Sequence, residues 1–352
     1  MTVAKQTIKP LDGFRVVELS EGLAAASCGR VLAYLGAEVT KVIPPEGDRL
    51  EKLGALYGMP TEKGDNPLYA MCCDGKQFLT LDLGNDVGQT TLKEQLSTAD
   101  VFLTDLLEGK LEALGLSYKA IHTLNAKLVF GQLSGYGSRG PMKDRKGSDV
   151  ACYYARGGYM MDYVDEGTAP DNVMRGTGEM NTALAMSSGI LTGVFAAMTQ
   201  GEGRFVHTSI LHASTWMASM NYVISQYGTD YFIDRVYRCK DGTYMFIQAV
   251  TDKQKSVLLN LIGMSREDYD DHFKAIPKLA EIYEQKTFAE WCELLDGTGV
   301  CIERLAHVRE VPFDKQALAN GFIQPYGNTY PVNIPVPPVI YAGCPEAFSG
   351  TV

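Results

Sequence analysis

Glu179 is the side chain in this sequence whose setting best suits covalent chemistry. Gly176 and Gly178 precede it, and the segment from Met180 to Met198 is apolar or small at almost every position. This pattern predicts a buried helix with one acid in its first turn. A carboxylate there could be a covalent nucleophile, with backbone N–H groups nearby for a developing oxyanion. From position alone, the alternative is that Glu179 only complements the helix dipole, an effect of about 0.3–1 kcal/mol.

The predicted helix reads as a core helix and not as a membrane span. Polar residues interrupt it at Asn181, Thr182, Ser187, Ser188 and Thr192, and nothing beside it suits a lipid interface. The N-terminal segment lacks the apolar stretch of a secretory signal. A formal net charge of -10 provides no basic surplus for the phosphates of a nucleic acid. We therefore predict a cytoplasmic protein with neither a membrane nor a nucleic acid as partner.

Cysteine and histidine usage gives no sign of a metal site. The 8 cysteines include no CxxC pair, and the 5 histidines lack the i, i+4 pairing of a metal-binding helix. Irregular cysteine spacing also argues against a disulfide framework. We predict no bound metal.

Alternating strand and helix patterns predict an α/β fold. Phe14 to Leu19 and Glu38 to Ile43 read as buried strands, with a helix from Ala24 to Leu35 between them, which is a βαβ unit. The first turn, SEGLAAAS, lacks the glycine-rich dinucleotide fingerprint, so a nicotinamide or flavin role has weak support. The alternation continues, with further strands and a helix at Asp74 to Leu83, Val87 to Leu96, Val101 to Leu103 and Leu128 to Leu133. The sheet is therefore predicted to be a Rossmann-like parallel sheet.

The second half of the chain predicts a smaller α+β domain. A hairpin is indicated from Tyr237 to Ile247 by the Asp241-Gly242 turn. Helices are predicted from Lys253 to Leu261 and from Thr287 to Leu295. A chain of 352 residues is long enough for two such domains.

An ordered set of short motifs resembles the family III CoA-transferases, a family that also includes acyl-CoA racemases. These motifs are L-A-x-L-G-A-x-V-x-K-V at Leu32 to Val42, S-G-Y-G-x-x-G-P ending at Pro141, G-E-G-R at Gly201 to Arg204, and V-x-T-S-I-L-H at Val206 to His212. Two more, A-R-G-G at Ala155 to Gly158 and P-x-N-V at Pro170 to Val173, are similar to the subgroup that transfers CoA to 2-hydroxy acids.

The resemblance implies a role for Glu179. In the family an aspartate lies ten residues before the first glycine of the helix, and here Glu179 lies ten before Gly189. The resemblance implies that this carboxylate attacks an acyl-CoA to give a mixed anhydride, and that CoA then returns to form an enzyme thioester. Coenzyme A and acyl-CoA are then substrates, and no cofactor is permanently bound. The family also implies an interlocked dimer, either with itself or with a related chain, for which Gln200 to Thr208 and Tyr326 to Tyr341 read as extended connecting segments.

The same resemblance implies the domain boundaries and the binding residues. We predict a large CoA-binding domain over 1–205, completed by 325–352, a linker over 206–230 and a small domain over 231–324. Phosphates of CoA need cations, and the predicted CoA-binding residues are Arg30, Lys41, Arg49, Lys76, Arg139, Lys143 and Arg145. The predicted substrate pocket consists of Tyr136, Tyr153, Tyr154 and Gly178. For the basic cluster from Lys143 to Arg156 the alternative is a solvated loop face, and for the tyrosines it is simple core packing.

Two other functions remain open at this stage. The chain could be a non-catalytic or partner subunit of a heteromeric CoA-transferase, since Glu179 has one more methylene than the usual aspartate. It could also be an acyl-CoA racemase. Racemases of the family carry histidine before the aspartate of a G-H-D turn, whereas this chain has Gly147-Ser148-Asp149, so the base needed for proton exchange is missing.

Overall fold

A computed structural model describes residues 9–162, 169, 173–227 and 236–338 of the chain. Three predicted segments lie partly outside the described residues. They are the P-x-N-V motif except Val173, the linker from residue 228 with the first five residues of the small domain, and the C-terminal segment from residue 339 to 352. The chain divides into two compact units. The first unit comprises residues 1–219 and 315–352, and the second comprises 220–314.

The described strands, in chain order, are β1 Arg15–Leu19, β2 Glu38–Ile43, β3 Gln77–Thr80, β4 Val101–Thr104, β5 Val129–Ser134, β6 Phe205–Ser209, β7 Val236–Arg238, β8 Tyr244–Gln248, β9 Cys301–Arg304, β10 Ile323–Tyr326 and β11 Val332–Pro335.

The described α-helices are α1 Leu23–Tyr34, α2 Pro67–Cys73, α3 Asp86–Thr98, α4 Glu108–Ala113, α5 Tyr118–Leu124, α6 Tyr159–Asp162, α7 Thr177–Gln200, α8 Ile210–Met217, α9 Ser219–Ser225, α10 Asp252–Ile262, α11 Arg266–Asp270, α12 His272–Tyr283, α13 Phe288–Leu295 and α14 Lys315–Ala319.

The first unit contains a parallel six-stranded sheet in the order β3-β2-β1-β4-β5-β6. This is the strand order of a doubly wound Rossmann sheet, which confirms the predicted fold class. The order reverses between β1 and β4, so the loops that follow these two strands diverge and leave a crevice at the carboxyl edge of the sheet.

Helices cover both faces of this sheet. Successive strand residues point to opposite faces, and the neighbours Val16 and Val17 of β1 accordingly belong to different apolar clusters. The cluster of Val16 includes the buried sides of α1 and α7. The cluster of Val17 includes residues of α3, α4 and α5. The resulting three-layer arrangement buries the apolar runs that predicted the strands.

The long helix α7 is a core element of the first unit. Ala183, Met186, Ile190 and Val194 form its buried side and pack in the same cluster as α1. Among the described residues, α7 is also the helix that is long and apolar enough to cross a membrane. Its packing against the sheet agrees with the predicted core helix.

The second unit is a small α+β unit, as predicted. Strands β7, β8 and β9 form an antiparallel sheet, and its apolar cluster includes Trp291 of α13. The Trp291 indole donates a hydrogen bond of 2.9 Å to the carbonyl of Tyr283, so this residue is part of the core.

The predicted linker and one predicted connecting segment differ from the structure. The motif from Val206 to His212 contains most of β6 and the start of α8, and Ser209 caps this helix by accepting the His212 N–H at 3.0 Å. β6 is also a strand of the main sheet, so residues 206–209 are not a linker, and Gln200 to Thr208 is not a free connecting segment.

Candidate active site

Glu179 lies in the first turn of α7, where the sequence predicts it. The chain enters the helix through Gly176, whose φ of 88° is favourable for glycine and strained for other residues. Glu179 is partly buried. It lines two cavities that lie in the first unit.

A buried aspartate binds the N-terminus of α7. The Asp149 carboxylate accepts hydrogen bonds from the N–H of Gly176 at 2.6 Å, of Gly178 at 2.7 Å and of Glu179 at 3.2 Å. Free N–H groups at a helix start normally attract an anion, and here a carboxylate of the same chain takes that position. The expectation that these N–H groups stabilise an oxyanion is therefore wrong.

A π-helical turn from Val150 to Ala155 holds Asp149 against α7. Its Tyr153 accepts a hydrogen bond at the ring hydroxyl from Asn181 at 3.0 Å, and its carbonyl accepts one from Ser214 at 2.8 Å. Gly178 has no room for a side chain, because a Cβ there would lie 2.4 Å from Tyr153 Cβ and 2.6 Å from Asp149 Oδ1. The turn that carries Glu179 is thus fixed on several sides, and single-turn π elements are frequent at functional sites.

A second aspartate occupies the N-terminus of α1. Asp105, just after β4, accepts hydrogen bonds from Glu21 N–H at 2.9 Å and Gly22 N–H at 2.7 Å. In a dinucleotide-binding Rossmann fold this helix terminus binds the pyrophosphate. The internal carboxylate takes the same donors, which agrees with the missing glycine-rich fingerprint.

Glu179 has an unusually high proton affinity. Burial, then the negative charge of Asp149, raises the pKa of the Glu179 carboxyl to about 7, with a further contribution from Asp105 and an opposing one from Arg49. Burial also raises the pKa of Asp105. A carboxyl group with a pKa near neutrality is more nucleophilic once ionised than an ordinary surface carboxylate.

The smaller cavity, of about 530 Å³, opens at the switch point of the sheet. It is lined by the loops after β1, β4 and β5, which include Gly22, Leu106 and Gly135. Its cations are Arg49, Lys110 and Lys146, and Lys110 also pairs with Glu21.

The larger cavity, of about 1230 Å³, has a mostly apolar wall. Its apolar lining residues are Leu23, Leu50, Leu53, Leu56, Tyr57, Met59, Leu68, Met71, Val150, Val173 and Met180. Arg175 also lines it. The two cavities share Gly22, Arg49, Ser148 and Glu179. Glu179 therefore lies where the two cavities meet, and the smaller cavity has more charged lining residues than the larger one.

Comparison with known proteins decides the family. The model of CoA-transferase family III matches residues 11–351. The chain belongs to this family.

Two relatives carry names that agree with the predicted subgroup. The (R)-2-hydroxy-4-methylpentanoate CoA-transferase of Clostridioides difficile is 30% identical over 334 residues, which cover 89% of this chain and 84% of that protein. The cinnamoyl-CoA:phenyllactate CoA-transferase of Clostridium sporogenes is 30% identical over 348 residues, covering 91% and 83%. The crystal structure of a CaiB/BaiF family protein from Brucella suis is 25% identical, with a TM-score of 0.76, and covers 95% of this chain and 93% of that chain.

Of the cations predicted to bind CoA in this family III CoA-transferase, two lysines are inaccessible. Lys41 and Lys76 are buried and pair with the buried Glu18, at 3.4 Å and 2.7 Å. Lys41 also pairs with Asp48 at 2.8 Å. Burial alone would lower the pKa of Lys41, but the negative charge of Glu18, with further contributions from Cys73 and Asp48, more than offsets this effect. Both ammonium groups are committed to internal partners, so the predicted phosphate contacts need correction.

The other predicted cations lie in different places. Arg49 lines both cavities. Arg30 is buried and pairs with Asp74 at 3.2 Å. Arg139, Lys143 and Arg145 are exposed on the loop between Gly135 and Gly147, outside both linings. Lys146, which lies in the predicted basic cluster from Lys143 to Arg156, lines the smaller cavity. The cations that sequence reasoning missed are Lys110 and Arg175, for which spacing along the chain gives no signal, because the fold alone brings them to the cavities.

The three predicted pocket tyrosines are packing residues. Tyr153 and Tyr154 are buried in one apolar cluster with Cys152 and Ile210, and Tyr136 packs against it. None of the three lines either cavity. Gly178 is likewise a packing position, so none of the four predicted pocket residues lines either cavity.

Proposed function

We propose that this family III CoA-transferase uses Glu179 as its covalent carboxylate. The observation that carries the proposal is the position of Glu179 at the junction of the two cavities. A thioester links a polar CoA to an acyl group, so a nucleophile must lie where sites for both meet.

The chemistry begins with an attack by the Glu179 carboxylate on the thioester carbonyl carbon. A C–O bond forms, the C–S bond breaks, and the CoA thiolate leaves with the negative charge. The thiolate then attacks the Glu179 carbonyl of the mixed anhydride, which releases the donor acid and leaves an enzyme thioester. The acceptor carboxylate attacks that thioester, a second anhydride forms, and the returning thiolate attacks its acyl carbonyl to give the new acyl-CoA and free Glu179.

The oxyanion in these steps needs donors other than the N–H groups that Asp149 occupies. Arg49 and Ser148 line both cavities together with Glu179. Their guanidinium and hydroxyl groups are suited to stabilise the charge that develops on the carbonyl oxygen. Departure of the thiolate is likewise favoured by a nearby cation.

We assign the smaller cavity to CoA and the larger to the acyl group. The smaller cavity lies at the switch point, where open α/β sheets bind ligands, and Arg49, Lys110 and Lys146 line it. These cations suit the phosphates and the polar pantetheine amides. The leucines and methionines of the larger cavity suit an apolar chain, as in the 4-methylpentanoate and phenyllactate of the named relatives. Coenzyme A is then a substrate and not a bound cofactor.

We also propose a dimer, formed with a second copy or with a related chain. Phe195 and Met198 of α7 and Trp216 and Met217 of α8 are exposed, and large exposed apolar side chains are available for a protein contact. Sedimentation that gives a monomer at micromolar concentration would contradict this proposal.

The racemase and the inactive-subunit alternatives predict other outcomes. Ser148 stands where a racemase of the family has its histidine, and its hydroxyl is no base at neutral pH. An inactive subunit would bind CoA without exchanging it, whereas the raised pKa of Glu179 favours a working nucleophile.

The proposal is tested by exchange of CoA between 4-methylpentanoyl-CoA and (R)-2-hydroxy-4-methylpentanoate. We expect turnover by the native chain and none by Glu179→Gln, with CoA still stabilising both against heat by mass action. Glu267→Gln, which neutralises another first-turn acid in the second unit, is the control and should retain full exchange. Turnover by Glu179→Gln would refute the role of Glu179, and binding without turnover by the native chain would favour the inactive subunit.

A further inference from the structure

We propose that Asp149 is a positioning residue for Glu179 whose negative charge promotes acylation. This inference rests on the proposed function of Glu179 as the nucleophile. Asp149 also lines the larger cavity, but its carboxylate oxygens accept the N–H groups at the start of α7, so its effect reaches the reacting atoms through Glu179.

The geometry ties Asp149 directly to the reacting residue. One carboxylate oxygen, Oδ1, accepts both the Gly178 N–H and the N–H of Glu179 itself, and Oδ2 accepts the Gly176 N–H. The Asp149 carboxylate is buried, so water screens its charge poorly. The Asp149 carboxylate is therefore held against the backbone turn that carries Glu179, and it cannot move away without breaking the hydrogen bonds of the helix start.

The negative charge of Glu179 is unfavourable in the free enzyme and is lost when Glu179 is acylated. Before acylation, an ionised Glu179 is repelled by Asp149 and by Asp105, and only Arg49 opposes this effect among the charges acting on it. When the anhydride forms, Glu179 becomes neutral and the negative charge moves to the leaving thiolate. The repulsion present in the free enzyme is thus relieved in the forward step, which favours acylation.

Asp105 cannot replace Asp149 in this role. Its hydrogen bonds hold Glu21 and Gly22 at the start of α1, and it contributes less than Asp149 to the proton affinity of Glu179. Asp149 alone of the two both fixes the turn that carries Glu179 and acts on its charge.

The test is the pH dependence of the single-turnover reaction with 4-methylpentanoyl-CoA, measured as release of 4-methylpentanoate when the enzyme thioester forms. Asp149→Asn keeps an oxygen that can accept the N–H groups but removes the charge. We expect its rate to reach half of its plateau at a pH lower than that of the native chain by about one unit, and its plateau to fall several-fold. Asp149→Glu keeps the charge but displaces it, so its rate should fall without that shift of the midpoint.

The matched control is Asp86→Asn, which removes an exposed first-turn charge from α3 and should leave both midpoint and plateau unchanged. If Asp149→Asn does not fold, Asp149→Ser provides a second neutral cap for the same measurement. A neutral variant that folds, acylates and keeps the native midpoint overturns the inference. A native chain that releases no 4-methylpentanoate at any pH refutes the proposed function instead, so the two failures are distinguishable.

Discussion

Glu18 and Glu179 are two carboxylates of the same unit in opposite electrostatic surroundings. Glu18 is fully buried and contacts Lys76 at 2.7 Å, Lys41 at 3.4 Å and the Ser20 hydroxyl at 2.7 Å. Glu179 has two other carboxylates, Asp149 and Asp105, acting on it, and Arg49 as the opposing charge. The negative charge of Glu18 is balanced by neighbouring cations, whereas that of Glu179 is repelled by neighbouring carboxylates.

The difference separates a structural acid from a reactive one. A buried charge is tolerated when partners satisfy it, and the Glu18 cluster, with Lys41, Lys76 and Asp48, carries no net charge. Glu179 lies on a cavity instead, where its repulsion can be relieved by reaction or by protonation.

Breaking the Glu18 cluster should have the largest effect on stability. Glu18→Gln leaves two buried lysines without their shared anion, and we expect a loss of about 3–5 kcal/mol in the free energy of unfolding. Urea denaturation measures this loss, with the exposed Glu38→Gln in β2 as control. A loss below about 1 kcal/mol would show that the cluster does not hold the sheet and α1 together.

Glu179→Gln should increase the free energy of unfolding, whereas Glu18→Gln decreases it. The pKa of Glu179 is raised from 4.5 to about 7 in the folded chain, so the folded state binds an extra proton between these values. Ionised Glu179 destabilises the folded chain, so this penalty is absent below about pH 4.5 and reaches its full size above about pH 7. At about pH 8 we therefore expect urea denaturation to give Glu179→Gln a free energy of unfolding roughly 1–3 kcal/mol higher than that of the native chain. At about pH 4.5 the two free energies of unfolding should be equal. An equal or lower stability at the higher pH would contradict the raised pKa.

Arg49, which lines both cavities, should contribute to CoA binding, whereas Arg238, which lines neither, should not. Arg49→Gln removes an exposed cation that lines both cavities, and we expect CoA to bind about tenfold more weakly, equal to about 1.4 kcal/mol. The loss should shrink at high salt because the contact is exposed. Arg238→Gln in the second unit, where the arginine pairs with Glu284, is the control. An unchanged CoA affinity in calorimetry would move the phosphates away from Arg49.

The sequence predicted the strands and the helix that carry this site better than the residues that line its cavities. Apolar runs specify the strands and the core side of α7, because periodicity reflects burial directly, and the two glycines before Glu179 mark a tight helix start. Lys41 and Lys76 were assigned to CoA because charge in a sequence does not reveal its partner, and Glu18 reads only as part of a strand. Asp149 and Lys110 come from segments distant in the chain, and only the folded arrangement brings them to the start of α7 and to the smaller cavity.

The central claim is that Glu179 becomes covalently acylated. Incubating the native chain with 4-methylpentanoyl-CoA, adding hydroxylamine and mapping peptides by mass spectrometry tests this claim directly, because hydroxylamine converts an activated carboxyl into a hydroxamate. We predict a hydroxamate at residue 179 in the native chain and none in Glu179→Gln. A hydroxamate on another residue, or the absence of any adduct in a chain that exchanges CoA, would contradict the account.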